Sequence, residues 1–289
     1  MSLVVATVGR QYELARLLDS LSKQTVNNIE VLIIDQNQDD RLRTIVHQSA
    51  EKLLLRWVRT APGLSRARNQ GIKLARGEIV GFPDDDCWYE TDTVEQCILR
   101  LHQNQQLEGI TGITLDAESK PSAGRFDKYP GLVDSWNVWR RGNSATLFCH
   151  TTTARLVGGF DESLGVGSET PWGSGEETDF ILRCLAAGAK IMFDPSFIIR
   201  HPQTKLDKWN PIRRRFYSYG RGHQRVLIKH CYPFAYRMRS LLRPILASAY
   251  YIATARPLNA YASYCTFAAR ALEEGCNWTN RVHTSNYNG

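Results

Sequence analysis

Three consecutive carboxylates, Asp84, Asp85 and Asp86, follow an apolar run from Gly77 to Pro83 that reads as a strand emerging into a turn. Like charges so crowded repel one another, and burying the stem of such a cluster is costly unless a cation neutralises it. Hard divalent cations such as Mg²⁺ or Mn²⁺ take oxygen ligands, so the triplet is a candidate metal site, and such a metal points to a phosphate. A solvated acidic turn is the plainer alternative. A second acidic group, Glu176-Glu177-Thr178-Asp179, opens a predicted helix after a Gly- and Ser-rich loop from Gly165 to Gly175. Acids at a helix N-terminus also complement its dipole, so capping is the rival explanation there. Arg66 and Arg68 stand at the start of another predicted helix, where cations are disfavoured; that placement argues for an anion nearby.

These groups need a scaffold, and the first half of the chain supplies a regular one. Leu3 to Val8 and Ile29 to Ile34 read as strands, as do Leu55 to Val58 and Ile79 to Phe82. Between them lie helical patterns at Glu13 to Gln24, with Leu14, Leu17, Leu18 and Leu21 on one face, at Arg41 to Leu54 and at Ser65 to Ala75. Strand and helix alternation of this kind makes a mostly parallel sheet flanked by helices, and such sheets bind ligands beyond the carboxyl ends of their strands. Thr7, Arg10, Asp35, Asn37 and Asp84 all fall at or just past those ends, which makes Thr7, Arg10, Asp35 and Asn37 candidates for reading a nucleotide base and ribose. A helix is expected from Thr91 to Gln103, strands at Ile110 to Leu115 and Ala145 to His150, and a helix from Glu177 to Ala187 capped by Gly188. Two short strands, Ile191 to Phe193 and Phe197 to Ile199, then lead into Arg200 and His201.

A chain of 289 residues with 43% hydrophobic content can bury a sizeable core, which excludes global disorder. The net charge of +7 implies an anionic partner. Seven scattered cysteines without a C-x-x-C pair or zinc spacing fit a reduced compartment, and the first residues show no signal-peptide pattern; a cytoplasmic location is expected.

Five blocks, taken in order, resemble family 2 of the glycosyltransferases, of the kind that build bacterial polysaccharides and glycolipids. They are Val4 to Arg10, Ile33 to Asn37, Gly63 to Ile72, the acidic triplet, and Gly175 to Arg183. The resemblance covers roughly the first two hundred residues. It implies a GT-A (Rossmann-like) α/β fold with a mostly parallel central sheet, a nucleotide-diphosphate sugar donor with UDP favoured, a divalent cation, Mn²⁺ or Mg²⁺, and inversion at the anomeric carbon. It also implies a D-x-D motif at Asp84 and Asp86, with Asp86 the direct metal ligand and Asp84 or Asp85 contacting ribose or a metal-bound water. His201 matches a position from which some members give an imidazole to the metal, and Arg200 is an alternative contact to the diphosphate. An inverting transfer needs a carboxylate to take the acceptor's proton, and the family places an Asp after a Glu in the last block. Here that position is Glu177, with Asp179 two residues on; Glu177 is favoured and Asp179 is kept. Glu176 and Trp172 are expected at the acceptor, the indole stacking on a sugar face, and Trp88 is open to either role. Arg66, Arg68 and Asn69 are expected beside the donor phosphates, Asn69 fixing the loop.

The expected domain boundary is at 204/205. Residues 1–204 form the catalytic domain and residues 205–289 a basic, amphipathic helical extension with a disordered tail from Asn277. Arginines from Arg213 to Arg243 interleave with aromatic residues, and the apolar stretch Leu241 to Ala255 is too short to span a bilayer. No nucleic-acid motif accompanies the basic stretch, so peripheral contact with the inner face of a membrane, or with a lipid-linked glycan acceptor, is the expectation. The function rivals are a nucleotide-sugar-binding protein without catalysis and a metal-dependent nucleotidyltransferase. The donor sugar, the acceptor and the linkage are not legible in these patterns.

Overall fold

The computed structural model describes residues 1–203 and 208–285, with side chains described as far as 278. Its first half alternates strands and helices as β1 (Ser2–Thr7), α1 (Tyr12–Leu21), β2 (Glu30–Asp35), α2 (Arg43–Ala50), β3 (Leu54–Arg59), α3 (Leu64–Leu74) and β4 (Ile79–Gly81). Then follow α4 (Thr93–Gln103), β5 (Gly109–Leu115), β6 (Gly131–Leu132), α5 (Val138–Arg141), β7 (Phe148–His150), α6 (Thr151–Leu156), α7 (Glu176–Ala186) and β8 (Ile191–Arg200). The last three elements are α8 (Trp209–Lys229), α9 (Phe234–Ala253) and α10 (Pro257–Ser285).

The eight strands form one mixed sheet in the order β3-β2-β1-β4-β7-β5-β8-β6. Pairing is parallel from β3 to β4 and between β5 and β8, whereas β7 runs antiparallel to both β4 and β5. All six residues of β2 are buried, as expected for a parallel strand covered on both faces, which is why Val31–Ile34 reads as a continuous apolar run. Leu14, Leu17, Leu18 and Leu21 of α1 are buried in the core with Leu3, Val5, Val31 and Ile33. On α3, Gly71 lets the helix lie against β1, since a Cβ there would come within 2.1 Å of Val4 Cγ1. Such a clash outweighs the roughly 1 kcal/mol that alanine gains over glycine in a helix.

Several elements differ from the sequence expectation. The two strands around Ile191 and Phe197 are one strand, β8, whose pairing with β5 shifts register between Thr111 and Ile113. The strand expected from Ala145 begins with a 3₁₀ turn, Ser144–Thr146, and only Phe148–His150 joins the sheet. Helix α10 runs past Asn277, where the sequence suggested a disordered tail, as far as Ser285.

The chain divides into two compact units. One holds Met1–Asp161 and Phe180–Thr204; the other holds Glu162–Asp179 with Lys205–Gly289, so the loop before α7 groups with the last three helices. The boundary expected at 204/205 lies outside the described residues. Within the second unit, Gly222 of α8 allows the backbone of Ser174 to come close, where a Cβ would meet the Ser174 carbonyl at 2.2 Å. Gly220 does the same for α10 at Ala269 and Thr266. Among the described residues no helix is long and apolar enough to cross a membrane.

Candidate active site at the carboxyl edge of the sheet

The acidic triplet sits where the sequence puts it, in the turn after β4, and two features fix it there. Cys87 N–H donates to the Asp84 carbonyl at 3.0 Å, closing the turn. Trp88 and Arg200 exchange both backbone hydrogen bonds, at 3.0 and 3.1 Å, which ties the turn to the end of β8. His201 N–H donates to the Leu115 carbonyl at 2.9 Å, so the imidazole is delivered by the paired ends of β5 and β8.

The three aspartates have different surroundings. Asp85 is buried; it accepts from Thr7 Oγ1 at 2.7 Å and from Arg10. Burial pushes its carboxyl above the ordinary value, against the opposing effect of Arg10 and Thr7, and Asp86 adds to the rise. Asp84 accepts from Arg68 Nη2 at 3.1 Å and is the most open of the three. Asp86 takes Arg10 Nη2 on Oδ2 at 2.9 Å, while its Oδ1 is buried without a hydrogen-bond partner and lies 3.4 Å from His201 Nε2.

His201 completes the argument. Its Nδ1 is 2.7 Å from the Pro202 carbonyl, which can only accept, so Nδ1 carries a hydrogen and Nε2 of the neutral ring presents a lone pair. That lone pair faces the orphaned Asp86 oxygen, and Asp84 Oδ2 lies 3.9 Å from the same nitrogen. Acceptors converging in this way call for a shared electrophilic partner, and a metal ion is one that all of them can ligate. Ligand atoms of Asp84, Asp86, Cys87 and His201 all lie within 4.8 Å of one another. Two carboxylates and an imidazole suit Mg²⁺ or Mn²⁺. Cys87 is the poorest donor of the four: its thiol is fully buried, and burial next to Asp84 and Asp86 holds its pKa well above normal. The residues present therefore fit a divalent cation.

Other expected site residues are engaged with neighbours. Asp35 is fully buried; Oδ1 accepts from Asn37 N–H and Nδ2, and Oδ2 accepts from Trp57 Nε1 at 2.9 Å. Asn37 Oδ1 in turn accepts from Gly9 N–H, which links the loops after β1 and β2. Arg68 bridges Asp84 and Ser144 and lies over Phe160, so the anion that its position implied is at least in part the protein's own. The Asn69 amide both donates to and accepts from the Phe160 backbone, at 2.9 and 2.7 Å, and so fixes the loop rather than pointing elsewhere. Arg66 donates to the Pro62 carbonyl at 2.9 Å. Arg200 bonds Glu90, the Asp116 carbonyl and Ser119; that geometry turns it to a structural task instead of the diphosphate contact kept open for it.

In the second unit, Asp179 is fully buried and takes Lys229 Nζ at 2.7 Å and His230 Nε2 at 2.8 Å on one oxygen. Glu176 is buried beside Gly165, and Glu177 is half-buried. Arg225 covers one face of Trp172 at 4.4 Å, and the Trp172 indole N–H is buried without a partner.

Sequence reading missed Arg16, which donates to the Asp86 carbonyl at 2.6 Å and stacks on Trp88, and it missed Trp57, Lys229 and His230. Trp57, Lys229 and His230 meet carboxylates distant in sequence, and Arg16 meets a backbone carbonyl, so no local pattern marks them.

The family model described as glycosyl transferase family 2 matches residues 2–120, from β1 through the triplet to the end of β5. Over those residues the chain is similar to glycosyl transferase family 2. An uncharacterized glycosyltransferase of Bacillus subtilis, EpsJ, is 32% identical over 193 residues, covering 60% of this chain and 54% of that protein. The Escherichia coli UDP-Glc:alpha-D-GlcNAc-diphosphoundecaprenol beta-1,3-glucosyltransferase WfgD is 27% identical over 106 residues, 36% of this chain and 42% of the relative. The chain thus spans about half or less of the length of these two relatives. Among solved structures, the mannosyltransferase PcManGT of Pyrobaculum calidifontis, in complex with GDP-Man and Mn²⁺, superposes with a TM-score of 0.59 at 16% identity, over 97% of this chain and 79% of its own. At that identity the likeness establishes the fold, which is the GT-A fold expected from the sequence.

Proposed function

We propose that this protein is an inverting glycosyltransferase that moves a sugar from a nucleotide-diphosphate sugar onto a hydroxyl of a glycan or lipid-linked glycan. The observation that carries the reading is the buried, unpartnered Asp86 oxygen facing His201 beside Asp84, at the strand end of a family 2 segment. Asp84, Asp86 and His201 hold Mn²⁺ or Mg²⁺. When bound, the cation neutralises the donor diphosphate and stabilises the charge that develops as it leaves. Asp85, Thr7 and Arg10 keep the metal-side carboxylates in place, and the ends of β1 and β2, with Asp35 and Asn37, receive the base and ribose.

Glu177 takes the proton of the acceptor hydroxyl. It matches the family's base position, whereas Asp179 is already held by Lys229 and His230. Trp172 and Glu176 meet the acceptor. UDP is the favoured carrier, in keeping with the UDP-glucose named for the WfgD relative.

A screen of nucleotide sugars by thermal unfolding tests the donor assignment. With Mn²⁺ present, one class of nucleotide sugar at saturation is expected to raise Tm by about 5 °C, and removing the metal with a chelator is expected to abolish the shift. Equal shifts with and without metal would remove the cation from the donor site.

A further inference from the structure

Helix α9 turns Arg237, Ser240 and Pro244 inward, and its opposite side is bare. On that side, at helical spacing, Leu242 is 53% exposed, Ile245 39%, Leu246 71% and Tyr250 59%. Apolar side chains standing singly on a surface call for no explanation, but two turns of them in one contiguous stripe mark an interaction surface. The stripe is too short and too interrupted to cross a bilayer.

The flank of the stripe identifies the partner. Tyr236, Arg239, Ser240 and Arg243 follow one another at i, i+3, i+4 and i+7 along α9, which makes a polar ridge beside the apolar one. Arg270 of α10 donates to the Ser240 carbonyl at 2.7 Å and to its hydroxyl at 3.1 Å, and His223 of α8 lies 3.0 Å from the same hydroxyl. Helices α9 and α10 thus bring Arg239, Arg243 and Arg270 near one another. Among the described residues none of the three has a carboxylate partner, whereas nearby Arg237 is paired with Glu274 and Arg221 with Glu273. Burial, with Arg243 close by, lowers Arg270 to about 10, the mark of a cation without a counter-ion. Between Lys205 and Arg256 the sequence carries twelve Lys and Arg and a single acid, far above the share that a chain of net +7 would place there.

A second copy of the chain is a poor occupant for this face. A two-fold contact would bring the unneutralised arginines of both copies together. A surface that is apolar in its interior and anionic at its boundary complements both ridges at once. We propose that the outer face of α9 docks on a bilayer containing anionic phospholipid, with Leu242, Ile245, Leu246 and Tyr250 entering the acyl boundary and Arg239 and Arg243 taking headgroup phosphates. This goes beyond the transfer reaction and does not depend on it.

Flotation of the full-length protein with vesicles, in the absence of any nucleotide sugar, tests the proposal. Binding is expected to phosphatidylcholine–phosphatidylglycerol vesicles, roughly tenfold weaker to phosphatidylcholine alone, and weaker again at high salt. Leu242→Glu with Leu246→Glu should abolish binding to both vesicle types. Arg239→Glu with Arg243→Glu should remove the preference for phosphatidylglycerol while the far-ultraviolet circular dichroism stays that of the wild type. Variants that float as well as the wild type would overturn the proposal. So would a wild-type dimer that Leu246→Glu converts to monomer without any vesicle binding, because the occupant would then be a second copy. Nucleotide-sugar stabilisation measured without vesicles reports separately on the catalytic reading, so failure of one is distinguishable from failure of the other.

Discussion

Asp86→Asn is expected to weaken Mn²⁺-dependent donor binding by about a hundredfold or more, with little change in the fold. Replacing partners that merely orient metal ligands typically lowers metal affinity about 10- to 100-fold, and Asp86 is argued to be a ligand itself. Its Oδ1 has no hydrogen-bond partner among the described residues, so the amide breaks no protein hydrogen bond at that position. Its Oδ2 faces Arg10, and an amide oxygen still accepts from a guanidinium there. The loss is therefore expected in the metal titration and not in the unfolding curve. Cys87→Ala supplies the contrast. The Cys87 sulfur lies within the same group of ligand atoms, but burial and the adjacent carboxylates keep it a thiol, and a hard cation prefers the oxygens. Isothermal titration with Mn²⁺ and donor is expected to give wild-type affinity for Cys87→Ala; a large loss there would place the sulfur on the metal.

Glu177→Gln and Asp179→Asn are expected to separate chemistry from architecture. The first removes the proposed base while keeping its shape, so donor binding should persist and turnover should fall roughly 10²- to 10⁴-fold, the range for general-base catalysis. The second acts on a carboxylate that is fully buried, paired with Lys229 and within hydrogen-bond distance of His230. The substitution takes from Lys229 and His230 the charged acceptor that they share, and stability should drop by roughly 1–3 kcal/mol. Chemical denaturation together with single-turnover transfer distinguishes the two. If Asp179→Asn keeps its stability and loses transfer while Glu177→Gln retains transfer, the base assignment is reversed.

The parts of this molecule that depend on local pattern were legible in its sequence. β1 through β4 and their intervening helices follow from apolar runs and helical spacing, and the triplet's position after β4 follows from the strand that precedes it. Arrangements set by distant partners were not legible. Nothing near Asp179 in the chain announces Lys229 and His230, and nothing near Asp35 announces Trp57, because the fold supplies those contacts from later elements. The same reason explains Arg200: its position beside His201 suggested a diphosphate, but Glu90 and the loop after β5 take its donors. His201 was suggested by family resemblance alone, and the geometry adds a physical reason, the Pro202 carbonyl that fixes its tautomer. The continuity of β8 was hidden by Asp194-Pro195-Ser196, turn-forming residues at which the pairing with β5 shifts and then resumes.

The most direct test of the account is to identify the nucleotide released. Incubation with Mn²⁺, a nucleotide sugar selected by thermal shift and a glycan or lipid-linked glycan acceptor should yield the nucleoside diphosphate and a lengthened acceptor of inverted anomeric configuration. Release of pyrophosphate from a nucleoside triphosphate, with no nucleoside diphosphate from any nucleotide sugar, would contradict it.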